Sequence, residues 1–234
     1  MRLDRFLSET TELTRSLAKR ALKNGEVTLN GEPVKQASIH VDTAQDVIEL
    51  SGERLALVGL RYVMLHKPED VECTARRGLY PRAIDLIDLP RAERLQPVGR
   101  LDVDTTGLLL LTDDGQWSHR ITSPKHRCAK VYIADLAEPV EGAAAERAVA
   151  QIAEGVLLDD DDTPTAPATL EFLSPMRASL VITEGRYHQV KRMFAALGNR
   201  VVSLHRQSIG PIALPDELAP GEWRELTAEE IARF

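Results

Sequence analysis

The chain is poor in cysteine. Cys73 and Cys128 are its two, far apart and neither in a Cys-x-x-Cys pair. That leaves too few thiols for a cysteine-built zinc site, and two free thiols in a reducing compartment are expected. Long apolar runs are also missing. No stretch reaches the roughly 18 apolar residues that a membrane-spanning helix needs. The start, Met1-Arg2-Leu3-Asp4-Arg5, lacks an apolar segment followed by a small-residue cleavage site, so a cytoplasmic protein is expected. An excess of basic charge is absent too, since the net charge is −7. Nucleic-acid binders usually carry a basic surface, but a local patch counts for more than the sum. Much of the acid lies in two blocks, Asp159 to Asp162 and Glu222 to Glu230. Consecutive carboxylates in one loop seldom converge on one ion, so Asp159–Asp162 reads as a solvated loop with no metal.

The 234 residues suit one large domain, or a small one followed by a larger one. Residues 1–58 read as a separate module, with Gly52 to Arg61 as its linker. Leu3, Phe6 and Leu7 have helical spacing. Thr14 is placed to cap a second helix, with Leu17, Ala18, Ala21 and Leu22 as its apolar face and Asn24-Gly25 as its end. Arg15, Lys19, Arg20 and Lys23 fall on the outward side. Val27–Leu29, Asn30-Gly31 and Pro33-Val34 predict a strand, a tight turn and a strand, and Val47–Leu50 a further strand.

Residues 59–234 alternate strand and helix patterns. Strands are predicted over 107–112, 130–136, 168–173, 178–183 and 200–206, and helices over 116–121, 142–154, 187–197 and 227–233. Ser174 to Arg177 separates two strands as a hairpin would. The fold class is α+β, with a mixed, mainly antiparallel sheet flanked by helices.

One segment stands out. Gly99-Arg100-Leu101-Asp102-Val103-Asp104-Thr105-Thr106-Gly107 runs into Leu108–Leu111 and Thr112. Thr and Gly there read as a turn, and the leucines as a buried strand. Asp102 at the lip of that strand either caps a turn or does chemistry.

The wording Gly-Arg-Leu-Asp, followed by Thr-x-Gly-Leu-Leu-Leu-Leu-Thr-Asp-Asp-Gly, resembles the signature of the RNA pseudouridine synthases. Leu13–Arg20, Gly25-Glu26-Val27 and Asn30-Gly31 resemble an S4-type RNA-binding domain. Lys130-Val131-Tyr132 and Glu184–Phe194 resemble two further synthase motifs. The wordings Asp113–Pro124 and Glu184–Ala196 are similar to the S4-containing branch that acts on small-subunit rRNA.

The resemblance implies a set of roles. Asp102 is the catalytic carboxylate, as nucleophile or as base. Lys191 is its cationic partner, at a position where related branches carry Arg; a cation both favours the ionised form and holds it. Tyr132 lies against the target base. Arg100 contacts RNA and helps hold the flipped arrangement, with a structural salt bridge as the alternative. Leu180 and Ile182 line the uracil pocket, with ordinary core packing as the alternative. Arg2, Arg15, Lys19, Arg20, Lys23 and Arg192 meet the RNA backbone. His119 and His126 are expected to touch RNA or to be structural. The implied substrate is one uridine of 16S rRNA, presented with ribosomal proteins in a small-subunit precursor to a monomeric enzyme without cofactor. The competing reading is a non-catalytic RNA-binding assembly factor, which has no need of Asp102, Tyr132 and Lys191 together. A hydrolase with paired carboxylates is disfavoured, because Asp102 and Asp104 are too close in sequence to flank a substrate.

Overall fold

The computed structural model describes residues 1–57 and 59–234. The chain divides into two compact units, Met1–Gly59 and Leu60–Phe234. The boundary expected between 58 and 59 falls on Val58, outside the described residues.

In the first unit, α1 (Leu3–Thr10) and α2 (Arg15–Asn24) precede β1 (Val27–Leu29), β2 (Glu32–Pro33), β3 (Ile48–Leu50) and β4 (Glu53–Leu55). Thr14 caps α2, its hydroxyl accepting from Leu17 N at 3.3 Å. Ala18, Ala21 and Leu22 are buried against Leu3, Phe6 and Leu7 of α1, and Val27 and Ile48 close the core. Leu17 departs from the expected apolar face: it is 45% exposed, on the basic side of the helix. Asn30 and Gly31 both take positive φ, the backbone a two-residue hairpin requires. The strands form an antiparallel sheet in the order β2-β1-β3-β4. The expected linker at 52–61 is thus partly a strand. Ser51-Gly52, also at positive φ, is a second hairpin turn that returns Glu53–Leu55 against Ile48–Leu50.

The second unit is built on β5 (Tyr62–Lys67), β6 (Gln96–Val98), β7 (Thr105–Thr112), β8 (Lys130–Leu136), β9 (Thr169–Ser174), β10 (Arg177–Ile182), β11 (Val201–Ile209), β12 (Ile212–Ala213) and β13 (Trp223–Glu225). Its helices are α3 (Gly115–Thr122), α4 (Gly142–Glu154), α5 (Gln189–Ala196) and the single turn α6 (Ala228–Ile231). The sheet order is β13-β5-β7-β11-β8-β10-β9, with β6 on β7 and β12 on β11. The β7–β11 ladder is parallel, and the other ladders among the described residues are antiparallel.

The run Leu108–Leu111 is buried on both faces, which explains why it does not alternate. Leu109 and Leu111 join one core with Val63, Leu65, Leu180, Met193 and Phe194. Leu108 and Leu110 join the other with Met64, Trp117, Ile121 and Ile209. Asp114 ends β7 and caps α3, accepting from Gln116 N at 2.9 Å and Trp117 N at 3.1 Å. Tyr62 donates its hydroxyl to the same carboxylate at 2.8 Å. Burial, with that neighbour, pushes the phenol up to about 12.

The turn expected at Thr105–Gly107 is instead the first part of β7. Gly107 is there for space as well as for its φ of +107°. A Cβ on it would lie 2.4 Å from the Arg206 carbonyl oxygen and 2.6 Å from the Arg206 nitrogen. The parallel partner β11 can approach only because that atom is missing.

Candidate active site

Strand register places one row of residues across the middle of the sheet. Leu180 of β10 pairs with Tyr132 of β8, Tyr132 with Arg206 of β11, Arg206 with Gly107 of β7, and Gly107 with Lys67 of β5. Directly paired residues point to the same face. Two of the five are therefore buried cations, Arg206 at 1% and Lys67 at 0% exposure. Such groups persist in a core only when their protons are matched by acceptors.

Both cations find their acceptors near the loop that carries Asp102. The Arg206 guanidinium donates to Gly99 O at 2.9 Å and Leu108 O at 2.8 Å. The Lys67 ammonium donates to Val103 O at 3.1 Å, Thr105 O at 2.8 Å and Pro68 O at 2.8 Å. Gly99 and Thr105 bracket the loop, so it is tied at both ends. Burial pushes the Lys67 ammonium below its ordinary value, and Cys73, Asp104 and Asp102 pull the other way. Beneath the loop, Leu101 N donates to the buried Cys73 sulfur at 3.5 Å, and burial pushes that thiol up.

Asp102 itself is 29% exposed, and each carboxylate oxygen has a cationic or imidazole neighbour from the α5 region. Lys191 Nζ lies 3.4 Å from Oδ2, and His188 Nε2 lies 3.3 Å from Oδ1. Lys191 is shared: its shortest contact is a 2.6 Å hydrogen bond to Asp104 Oδ1. That bond outweighs burial, which pushes the other way, and holds the Asp104 carboxyl below its usual range. The expected pairing of Lys191 with Asp102 alone becomes a lysine between two carboxylates.

Tyr132 is 8% exposed. Its hydroxyl is 3.4 Å from Arg206 Nη1, and its ring centroid is 6.0 Å from the guanidinium carbon. Leu180 and Ile182 are 0% and 3% exposed and belong to the core. Arg100 is exposed at the start of the loop. Arg192 is committed internally. It donates to Asp161 at 3.0 Å, to the Tyr187 carbonyl at 3.3 Å, and to the Asp159 carbonyl. Arg186 takes the other Asp161 oxygen at 2.8 Å and the carbonyls of Thr163 and Pro164. Asp159, Asp160 and Asp162 are exposed, as a solvated acidic loop would have them, but Asp161 departs from that expectation: its two oxygens pair with two guanidiniums and clamp the α5 approach. Arg192 is not the free phosphate contact that its exposed helical position suggested.

In the first unit, Arg15, Lys19, Arg20 and Lys23 are exposed on α2. Arg2, Arg5, Arg15, Lys19 and His40 line one depression there, with the buried Asp4 paired to Arg2 at 2.9 Å. Arg5 and His40 were not among the expected contacts. His40 joins through a bridge to Arg2 that sequence spacing does not reveal.

Lys67, Arg206 and His188 also went unsingled by sequence reasoning. For the first two a signal existed. Val63, Leu65 and Lys67 share one parity of a strand, as do Leu204 and Arg206, so alternation turns both cations inward. His188 had no such signal, because it sits in a left-handed turn at φ 48°.

Comparison with known proteins follows the same division. A family model for RNA pseudouridylate synthase matches residues 61–196, and one for the S4 domain matches residues 1–48. Ribosomal small subunit pseudouridine synthase A of Pasteurella multocida is 54% identical, the match covering 100% of this chain and 99% of that one. The proteins of the same name from Haemophilus influenzae and Escherichia coli K12 are 51% and 47% identical over essentially their full lengths. A crystal structure of a pseudouridylate synthase is 50% identical with a TM-score of 0.70, covering 100% of this chain and 99% of the other. With one family model spanning more than half of its length and relatives matched end to end, the chain belongs to the RNA pseudouridylate synthase family, with an S4 domain ahead of the synthase unit.

Proposed function

We propose that this enzyme isomerises one uridine of 16S rRNA to pseudouridine, with Asp102 as the acting carboxylate. The observation that carries the reading is the setting of Asp102: a partly exposed carboxylate on a loop tied at both ends, flanked on its two oxygens by His188 and Lys191. A capping aspartate needs none of this. The small-subunit substrate is that of the relatives matched end to end, which are named ribosomal small subunit pseudouridine synthase A.

The reaction breaks the N1–C1′ bond of the uridine and joins C5 to C1′ after the base turns. N1 gains a proton and C5 loses one, so no electrons leave the substrate. Asp102 opens the sequence either by attack on the nucleoside or by taking a proton from C2′. Lys191 and His188 hold the carboxylate against the sugar. Tyr132, locked by Arg206, is a fixed wall for the base, with Leu180 packed beside it in the core. Arg100 at the exposed loop start meets the RNA, where a planar guanidinium can stack on a base or bind phosphate.

The S4 unit supplies affinity through Arg2, Arg15, Lys19, Arg20 and Lys23. Its basic depression answers the objection from a net charge of −7, since a local field is what an RNA backbone meets. The substrate is a small-subunit precursor with ribosomal proteins, met in the cytoplasm by a monomer. Among the described residues no helix is long and apolar enough to cross a membrane.

The test uses purified protein, partly assembled small-subunit RNA and chemical detection of pseudouridine. Wild type should convert one uridine, and Asp102→Asn should lose at least ~10³-fold in turnover while still binding RNA. Wild-type inactivity, or a fully active Asp102→Asn, would overturn the assignment.

A further inference from the structure

Tyr187 is an aromatic residue left 76% exposed, and it is not idle. Its ring stacks on His188, centroids 3.7 Å apart and planes 23° from parallel. The same His188 imidazole stands 3.3 Å from Asp102 Oδ1. A planar surface open to solvent is thus one ring away from the acting carboxylate.

The turn that presents this stack is held on several sides. Arg186 N donates to the buried Gln189 side chain at 2.8 Å, and Gln189 donates to Glu184 at 2.9 Å. The Arg186 guanidinium is anchored on Asp161, and Arg192 holds the Tyr187 carbonyl. Within this framework His188 takes a left-handed backbone at φ 48°. For a non-glycine residue that conformation carries strain, which persists where the surroundings over-determine it. The result is an imidazole with Nε2 beside Asp102 and an aromatic ring stacked on its face.

RNA gives that surface a use. Lifting a uridine from its stack exposes the faces of the neighbouring bases. Unpaired bases are held by stacking on aromatic side chains, which tolerates any base because each has a π-face. Lys191, beside the stack, keeps the other oxygen of Asp102.

We infer that Tyr187 is the stacking platform for a base flanking the target uridine, and that His188, stacked on Tyr187 and reaching Asp102 through Nε2, is a positioning residue that sets the carboxylate. The inference rests on Asp102 acting at a uridine, as proposed above. It makes RNA docking and carboxylate orientation parts of one stacked unit.

The experiment compares Tyr187→Ala, Tyr187→Phe, His188→Gly and His188→Asn with wild type on the partly assembled small-subunit RNA. It measures KM, kcat, RNA affinity and thermal unfolding. Tyr187→Ala should raise KM about 10-fold, and Tyr187→Phe should restore most of that loss, since the ring and not the hydroxyl stacks. His188→Gly suits the left-handed backbone, so folding should be preserved while kcat falls about 10-fold or more. His188→Asn tolerates the same backbone and keeps a side-chain donor, so it should recover part of kcat.

Wild-type kinetics in both Tyr187→Ala and His188→Gly would overturn the inference. Equal losses in Tyr187→Ala and Tyr187→Phe would overturn the platform, and a His188→Gly loss explained by unfolding would overturn the positioning role. If wild type makes no pseudouridine, the proposed function falls instead. RNA affinity of Tyr187→Ala still decides the platform in that case, with unchanged affinity counting against it.

Discussion

The guanidinium of Arg206 donates to the carbonyl of Gly99 at 2.9 Å across 107 residues of chain. One buried side chain thereby ties the first residue of the Asp102 loop to the centre of the sheet. The same group holds Leu108 O and faces the Tyr132 hydroxyl. Arg206→Met should leave these acceptors without their donor, a cost of about 3 kcal/mol of stability. Urea unfolding measures it. Arg206→Lys keeps the charge without the fork, so its stability should lie between the two. Turnover in both variants should fall further than the folded fraction does.

Gly107 controls the same region through space. Gly107→Ala would set a methyl 2.4 Å from the Arg206 carbonyl oxygen at a φ of +107°. The β7–β11 pair cannot separate without shifting Arg206, so a loss of about 3 kcal/mol is expected. A melting temperature equal to wild type would contradict that reading of the parallel ladder.

Lys191 lies between Asp102 and Asp104, 3.4 Å and 2.6 Å away. Lys191→Met should reduce kcat about 10²-fold through misplacement of the carboxylate. RNA affinity should change little if, as proposed, the S4 unit makes the backbone contacts. Equal losses in kcat and affinity would make Lys191 an RNA-binding residue instead. Asp104→Asn removes the competing partner and should cost far less turnover than Lys191→Met.

The C-terminal segment predicts an acid sensitivity. Glu230 caps α6 and receives both Arg224 nitrogens at 2.7 and 2.8 Å. Arg224 first, and the cap second, hold its carboxyl down at about 2 against an ordinary 4.5. A carboxyl lowered on folding contributes stability that is complete above 4.5 and is lost as pH falls through about 2. Solvent screening reduces the contribution to about 1–2 kcal/mol at neutral pH. Glu230→Gln should therefore lower the melting temperature at pH 7, and the gap to wild type should narrow steadily towards pH 2. A gap independent of pH would assign the effect to the cap and not to the charge.

Much of the synthase unit was legible in local pattern. The leucines of β7, the hairpin around Ser174–Arg177 and the apolar stripe of α5 follow from periodicity, and their bounds moved by only a few residues. Thr14 and Asn30-Gly31 announced a cap and a turn by side-chain and backbone chemistry alone. The errors have local causes too. Ser51-Gly52 was passed over as a hairpin turn, and Thr105–Gly107 looked like a turn because its glycine serves a neighbouring strand that is distant in sequence.

By itself the sequence determined most of the longer elements, the expectation of a two-part organisation, the S4-type and synthase motifs, and Asp102 as the residue on which to look for chemistry. Tertiary structure decided what surrounds that residue. Alternation along a strand states which face a side chain takes, but register between strands states which side chains meet. Leu180, Tyr132, Arg206, Gly107 and Lys67 come from five strands and form one row only after those strands pair. The sharing of Lys191 with Asp104, the capture of Arg192 by Asp161 and the approach of His188 to Asp102 are likewise long-range. Each depends on Coulomb attraction and hydrogen bonding over a few ångströms between groups that the chain holds tens of residues apart, and no local pattern carries that distance.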